Sequence, residues 1–219
     1  MTPVLFSQPP KGQLAFGRLN LSSLKASARK SMTLPPNLIL IGIQGAGKGT
    51  QAAYLAEHYH YQTISGGEIL RHHVTIGDTL GLQIKDLVMH GILVDDDLLL
   101  PLVAEAVSQV PIDVPIIFDG IPRTLYQAGK IERICEAQGR TAPLVIYLNV
   151  QKQTVYDRLA KRGREDDKLD IIERRFEVFA QHVLPVIHHY QKLGRLVEIN
   201  AEDDVAHITK QIEHIIGRT

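Results

Sequence analysis

From Leu38 onward the sequence predicts an α/β fold, a doubly wound sheet of five parallel strands covered by helices on both faces. Short apolar runs alternate with helix-compatible stretches in βαβα order to the C-terminus. The first run, Leu38-Ile39-Leu40-Ile41, passes directly into a glycine-rich loop and a helix start. A later run, Ile116-Ile117-Phe118, ends on the carboxylate of Asp119, at the sheet edge where open α/β folds bind ligands.

Residues 1–36 stand apart from this pattern. They contain no acidic side chain, the first in the chain being Glu57, and scatter Lys11, Arg18, Lys25, Arg29 and Lys30 among Ser, Pro and Gly. Such a stretch has too little apolar surface to form a core, so it is read as a disordered extension, or as sequence ahead of a start at Met32. An organellar transit peptide is the minor alternative, because the helical amphipathicity expected of one is weak. The folded domain is expected over 37–219.

Leu38–Ile41 is the first strand. The loop Gly42-Ile43-Gln44-Gly45-Ala46-Gly47-Lys48-Gly49-Thr50 then carries the pattern G-x-x-x-x-G-K, with the hydroxyl one place later than usual, at Thr50. Backbone N–H groups at a helix start attract anions, glycines admit a phosphate chain without Cβ clashes, and Lys48 can reach terminal phosphates. A Gly-rich turn beside a surface lysine is the bland alternative. It leaves four glycines and a lysine at phosphate-binding spacing without a reason.

Tyr61–Ile64 reads as the second strand. Helical stretches from about Glu68 to Met89, divided near Gly77, and from Asp96 to Val110 are together longer than one crossover requires, which marks a small helical insert at about 65–94. The third strand is Pro115–Phe118 and the fourth Leu144–Leu148. A helix around Val155–Arg162 leads into the polar segment Gly163 to Lys168, a short lid at about 161–167. Ile172, Phe176, Phe179, Val183 and Ile187 then recur every three or four residues, giving a long helix one buried face, with Pro185 expected to kink it. Leu196–Ile199 closes the sheet.

Composition narrows the function classes. Lys plus Arg equals Asp plus Glu at 24 each, so no global field favours nucleic acid or a membrane, and binding charge must be local. Cys135 is the only cysteine, which excludes an internal disulfide and a Cys-rich zinc site within one chain. No apolar run approaches the ~18–20 residues that span a bilayer. A cytoplasmic, monomeric protein is expected. Of the ten histidines, the adjacent pairs His72-His73 and His188-His189 diverge on a helix and make poor metal sites.

Asp119 is placed to hold magnesium, directly or through water, since that ion takes one or two carboxylates plus substrate phosphates. Capping of the next helix is its other reading. Arg158 and Arg162, at i and i+4, share a helix face suited to phosphate oxygens. For Arg158 a solvated basic face paired with Glu165 and Asp166 stays open as well.

These motifs occur in an order that resembles the adenylate kinase family of nucleoside monophosphate kinases. The resemblance runs from Leu38 to the C-terminus. It rests on the glycine loop, on Ile64-Ser65-Gly66-Gly67-Glu68-Ile69-Leu70-Arg71, on Asp119-Gly120-Ile121-Pro122-Arg123-Thr124, and on Arg162-Gly163-Arg164-Glu165-Asp166-Asp167 followed by Arg175. It implies the P-loop NTPase fold and magnesium-dependent phosphoryl transfer from ATP to AMP, without zinc. Gly45, Ala46, Gly47, Lys48, Gly49 and Thr50 would wrap the ATP phosphates, and Arg158 with the backbone at Ala201 would meet its base. Arg71 and Arg123 would clamp the AMP phosphate. Gly66, Gly120, Ile121 and Pro122 would line the acceptor site, and Gln127 with the backbone of Ile92, Leu93 and Val94 would meet the acceptor base. Arg162, Arg164 and Arg175 would close over the transferring group, with Asp166 and Asp167 orienting the lid.

Four positions depart from the family pattern. Gln44 replaces a proline, Gly66 a threonine, Glu68 an aspartate and Ile121 an aromatic residue. Gly66 removes a hydroxyl beside the acceptor base and keeps a UMP/CMP kinase in play. Thr124 and Gln127 favour AMP. A nucleotide-binding pseudoenzyme of the same fold is the alternative from another class, opposed by the complete set of Lys48, Arg71, Asp119, Arg123, Arg164 and Arg175.

Overall fold

The computed structural model describes residues 36–163 and 168–217. The expected extension, except Pro36, and the lid residues 164–167 lie outside the described residues.

Five parallel strands form one sheet in the order β2-β3-β1-β4-β5, with β1 Leu38–Ile41, β2 Gln62–Ser65, β3 Ile116–Asp119, β4 Leu144–Asn149 and β5 Leu196–Asn200. β1 is central and covered on both faces, which is why it reads as an unbroken apolar run. Its side chains divide by parity. Ile39 and Ile41 enter one core, and Leu38 and Leu40 the other. The first core is built with α4 (Asp96–Ser108), α5 (Leu125–Ala137) and α8 (Leu184–Lys192), and the second with α1 (Lys48–Tyr59), α6 (Lys152–Arg162) and α9 (Val205–Ile215). Full burial of each such Leu or Ile side chain contributes about 1.5–3 kcal/mol.

Strand ends shift by one residue from the sequence reading where hydrogen bonding dictates it. Pro115 has no N–H for the ladder, so β3 begins at Ile116, and the Pro115 carbonyl accepts from Gln62 N at 2.8 Å. Asp119 belongs to β3, in register with Leu40 on one side and Ser65 on the other.

Between β2 and β3 the chain forms α2 (Gly66–Ile76), α3 (Thr79–Met89) and α4, with Gly77 at the break between the first two. The Ser65 hydroxyl accepts from Glu68 N, which starts α2 two residues earlier than periodicity indicates. Asp78 caps α3 through Gly81 N at 2.7 Å and shares a 2.6 Å hydrogen bond with His73 Nδ1, so this histidine fastens α2 to α3. At Gly81 the two helices touch backbone to backbone: a Cβ there would lie 1.9 Å from the His73 carbonyl oxygen. Gly81→Ala is therefore expected to cost about 1–3 kcal/mol, read as a lower denaturation midpoint. An unchanged midpoint would mean that the helix pair spreads without cost.

The long amphipathic stretch is not one kinked helix. α7 (Leu169–Val178) passes into a π-helical turn, Phe179–Val183, and α8 follows with Pro185 in its first turn. The irregularity thus precedes the proline. Pro185 offers no N–H to the carbonyl four residues back and its ring crowds that carbonyl, while Leu184 N bonds to Phe179 O in i→i−5 fashion. Ile172, Val183 and Ile187 are buried as the spacing predicts, and Phe179 packs against both cores. Cys135 is buried, and desolvation pushes its thiol up to about 11, which disfavours the thiolate form.

Candidate active site

A cavity of about 900 Å³ opens over the carboxyl ends of β1 and β3, lined by residues 40–51, which run from the end of β1 through the glycine loop into α1, by the start of α2 and by residues of the loop after β3. This is where a doubly wound sheet leaves a crevice. Gly47 has φ 99°, a left-handed conformation that glycine adopts without strain, and it starts α1 without a side-chain cap. Side chains of Ser65, Asp78, Asp95, Thr124 and Asp204 cap α2, α3, α4, α5 and α9. The first turn of α1, lacking such a group, lines the cavity and suits an anion.

Lys48 lies back across its own loop, donating to the carbonyls of Gly42 at 2.7 Å and Ile43 at 3.1 Å. Burial holds its ammonium below the ordinary 10.5; Asp119 pulls it back up, and Arg123, Arg162 and Arg175 push it further down. Arg123 is lowered by burial and then by Arg175, with Asp119 opposing. These mutual effects place the Asp119 carboxylate among Lys48, Arg123, Arg162 and Arg175. The side-chain atom Asp119 Oδ1 is buried and has no hydrogen-bond partner among the described residues. Such an arrangement attracts a polyanion, and its unpaired carboxylate oxygen has capacity for a cation or a water.

A family model described as adenylate kinase matches residues 40–195. The chain belongs to the adenylate kinase family. It is 36% identical over 180 residues to adenylate kinase 1 of Nostoc sp., covering 82% of this chain and 98% of that protein. It is 36% identical over 177 residues to an adenylate kinase of Prochlorococcus marinus, covering 81% and 96%. An adenylate kinase of Xanthomonas campestris pv. campestris is 32% identical over 185 residues, covering 83% and 99%. As an adenylate kinase family member the chain is a phosphotransferase of the nucleoside monophosphate kinase class with a P-loop NTPase fold.

The adenylate kinase signature residues do not all reach the cavity. Gly45 through Thr50, Arg71, Gly120, Pro122, Arg123, Arg158, Arg162 and Arg175 line it, while Arg164 lies outside the described residues. Arg158 is anchored through Nη2 to the Ala201 carbonyl at 2.8 Å, with a longer 3.4 Å contact from Nη1 to Gly45 O. That anchor is tertiary, unlike the exposed pairing its local sequence also permits. Ala201 is itself buried, and Asp203, Asp204 and Val205 line the cavity beyond it. Ile92, Leu93 and Val94 stand outside the lining, although Gly91 is within it. Gln127 is only 2% exposed and also stands outside.

Two departures from the adenylate kinase pattern meet in space. A Cβ at Gly66 would lie 3.4 Å from Ile121 Cβ, so the small residue faces the residue that replaces an aromatic ring. Sequence reasoning passed over Ser65 and the cavity contributions of Phe179 and Val183. The Ser65-x-x-Glu68 spacing could have revealed the first as a helix cap. Nothing local marks the other two, because their stripe reads as ordinary core.

Proposed function

We propose that the chain catalyses reversible transfer of the γ-phosphoryl group of magnesium ATP to AMP, giving two ADP. The observation that carries this reading is the meeting of Lys48, Arg71, Asp119, Arg123, Arg162 and Arg175 at one cavity floored by the glycine loop. Phosphoryl transfer spreads charge over the equatorial oxygens and needs positioned cations more than covalent help. In this reading the α1 amides and Lys48 hold the ATP phosphates. Arg71 and Arg123 hold the acceptor phosphate opposite, and Arg162 and Arg175 approach the transferring group from α6 and α7.

The residues present fit magnesium. Asp119 supplies a carboxylate with an unused oxygen beside the phosphate cradle, and a hard ion with phosphate and water ligands needs no more protein donors. Bound there, the ion would neutralise charge on the β- and γ-phosphate oxygens. We assign the 65–94 insert and the 161–167 lid to closure over the two nucleotides, which excludes water from the acceptor position. Since all these cations come from one chain, we read the enzyme as a monomer, and its single buried free thiol suits the cytoplasm.

Steady-state assays offering AMP, CMP, UMP and GMP in turn test the reading. AMP is expected to give the highest kcat/KM. A preference for CMP or UMP would replace it with a pyrimidine monophosphate kinase, and ATP binding without transfer to any acceptor would make the chain a pseudoenzyme.

A further inference from the structure

Gln51 closes the first turn of α1, directly after Lys48-Gly49-Thr50, and is only 1% exposed. Its side chain is spent on α9. Nε2 donates to the Val205 carbonyl at 3.2 Å, 154 residues away in sequence, and Oε1 accepts from the Thr209 hydroxyl at 2.9 Å. Thr209 Oγ1 also lies 2.7 Å from Val205 O, so amide, hydroxyl and carbonyl close one network. Val205 O can only accept, and the amide must therefore show it nitrogen and keep its oxygen for the hydroxyl.

Val205 begins α9 and, with Asp203 and Asp204, walls the cavity. The other end of this β5–α9 loop is held from α6, where Arg158 Nη2 donates to Ala201 O at 2.8 Å and Thr154 Oγ1 to Glu202 Oε2 at 2.6 Å. We propose that Gln51, seated by Thr209, is a positioning residue for the donor base: it sets the 203–205 wall against the phosphate cradle, a role that rests on the kinase reading above and on the ATP base lying at Ala201. The same first turn of α1 that faces the phosphates thus fixes the far end of the loop that meets the base. Packing of α1 on α9 does not hang on this amide alone, because the hydroxyls of Tyr54 and Tyr59 both donate to Glu213 Oε1, at 3.1 and 2.6 Å. Loss of Gln51 is therefore felt at the wall and not as separation of the two helices.

Calorimetry on the full chain separates wall from cradle, with magnesium ATP as one ligand and magnesium tripolyphosphate, which has no base, as the other. Gln51→Met keeps length and bulk and strands no buried polar group, since the Thr209 hydroxyl still has Val205 O as its acceptor. It is expected to weaken ATP about fivefold and to leave tripolyphosphate within about twofold of wild type. Equal losses in both ligands would assign Gln51 to the phosphate cradle, and no loss in either would make the wall independent of it; both overturn the proposal. So does a wild type that binds tripolyphosphate as tightly as ATP, because the wall then supplies no base contact. Thr209→Val covers the case in which Gln51→Met does not fold. It removes one hydroxyl, leaves Val205 O paired with Gln51, and is expected to weaken ATP about two- to threefold with tripolyphosphate unmoved; unchanged ATP affinity in that variant overturns the proposal. The double variant should lose little more than Gln51→Met alone, and full additivity counts against the shared network. Transfer to AMP is assayed separately. A wild type that binds ATP and transfers to no acceptor overturns the kinase reading, while the ratio of ATP to tripolyphosphate affinity still decides the role of Gln51.

Discussion

Lys48→Ala is expected to lower kcat by about 10²–10³-fold with the fold intact. The Lys48 charge is made costly by burial first and then by Arg123, Arg162 and Arg175, with Asp119 opposing them. In the unfolded chain the amine titrates near 10.5, above its folded value. Between those two values the unfolded state holds the extra proton, so stability rises with pH across that window, and below it the charged amine is a net cost to folding. A triphosphate reverses the balance by bringing anionic oxygens against Lys48. Two measurements follow. ATP affinity should fall as pH climbs through the lowered Lys48 value, beginning below 10.5, and Lys48→Ala should abolish that alkaline limb. Near-normal kcat in the alanine variant would remove Lys48 from the mechanism.

Arg123→Ala should be nearly as damaging, with kcat/KM for AMP down on the order of 10²–10³-fold and ATP KM little changed. The side chain is anchored through Nε to Gly120 O, which presents its two terminal nitrogens as a pre-set fork for phosphate oxygens. Its neighbours Arg175 and Arg71 disfavour its charge until an anion arrives. Arg123→Lys keeps a cation but loses both the anchor and the fork, so it is expected to recover only a small part of the loss. Equal losses in AMP and ATP kinetics would show that the residue supports the whole cavity and not the acceptor phosphate.

Much of this site is legible in the sequence because its parts are local. The glycine loop joins a strand to a helix within nine residues, and Asp119 and Arg123 stand on one strand end and its loop, so each motif carries its own geometry. Gln127 is different. Its place in the sequence points to the acceptor base, and the fold adds hydrogen bonds to Arg123 N and to Asp96, the latter a partner brought near only when α4 returns from the insert. Arg158 likewise had two local readings, and the carbonyls of Ala201 and Gly45 that bind it lie 43 and 113 residues away.

The sequence by itself determined the parallel sheet, the phosphate cradle and the cation set, since hydrophobic period, glycine spacing and charge identity act over a few residues. Only the tertiary structure decided the strand order, the π-helical turn ahead of Pro185, and which polar side chains serve the cavity and which hold the loops around it. Those outcomes depend on partners tens of residues apart, and a buried hydrogen-bonding group takes whatever partner the packed chain brings within about 3 Å.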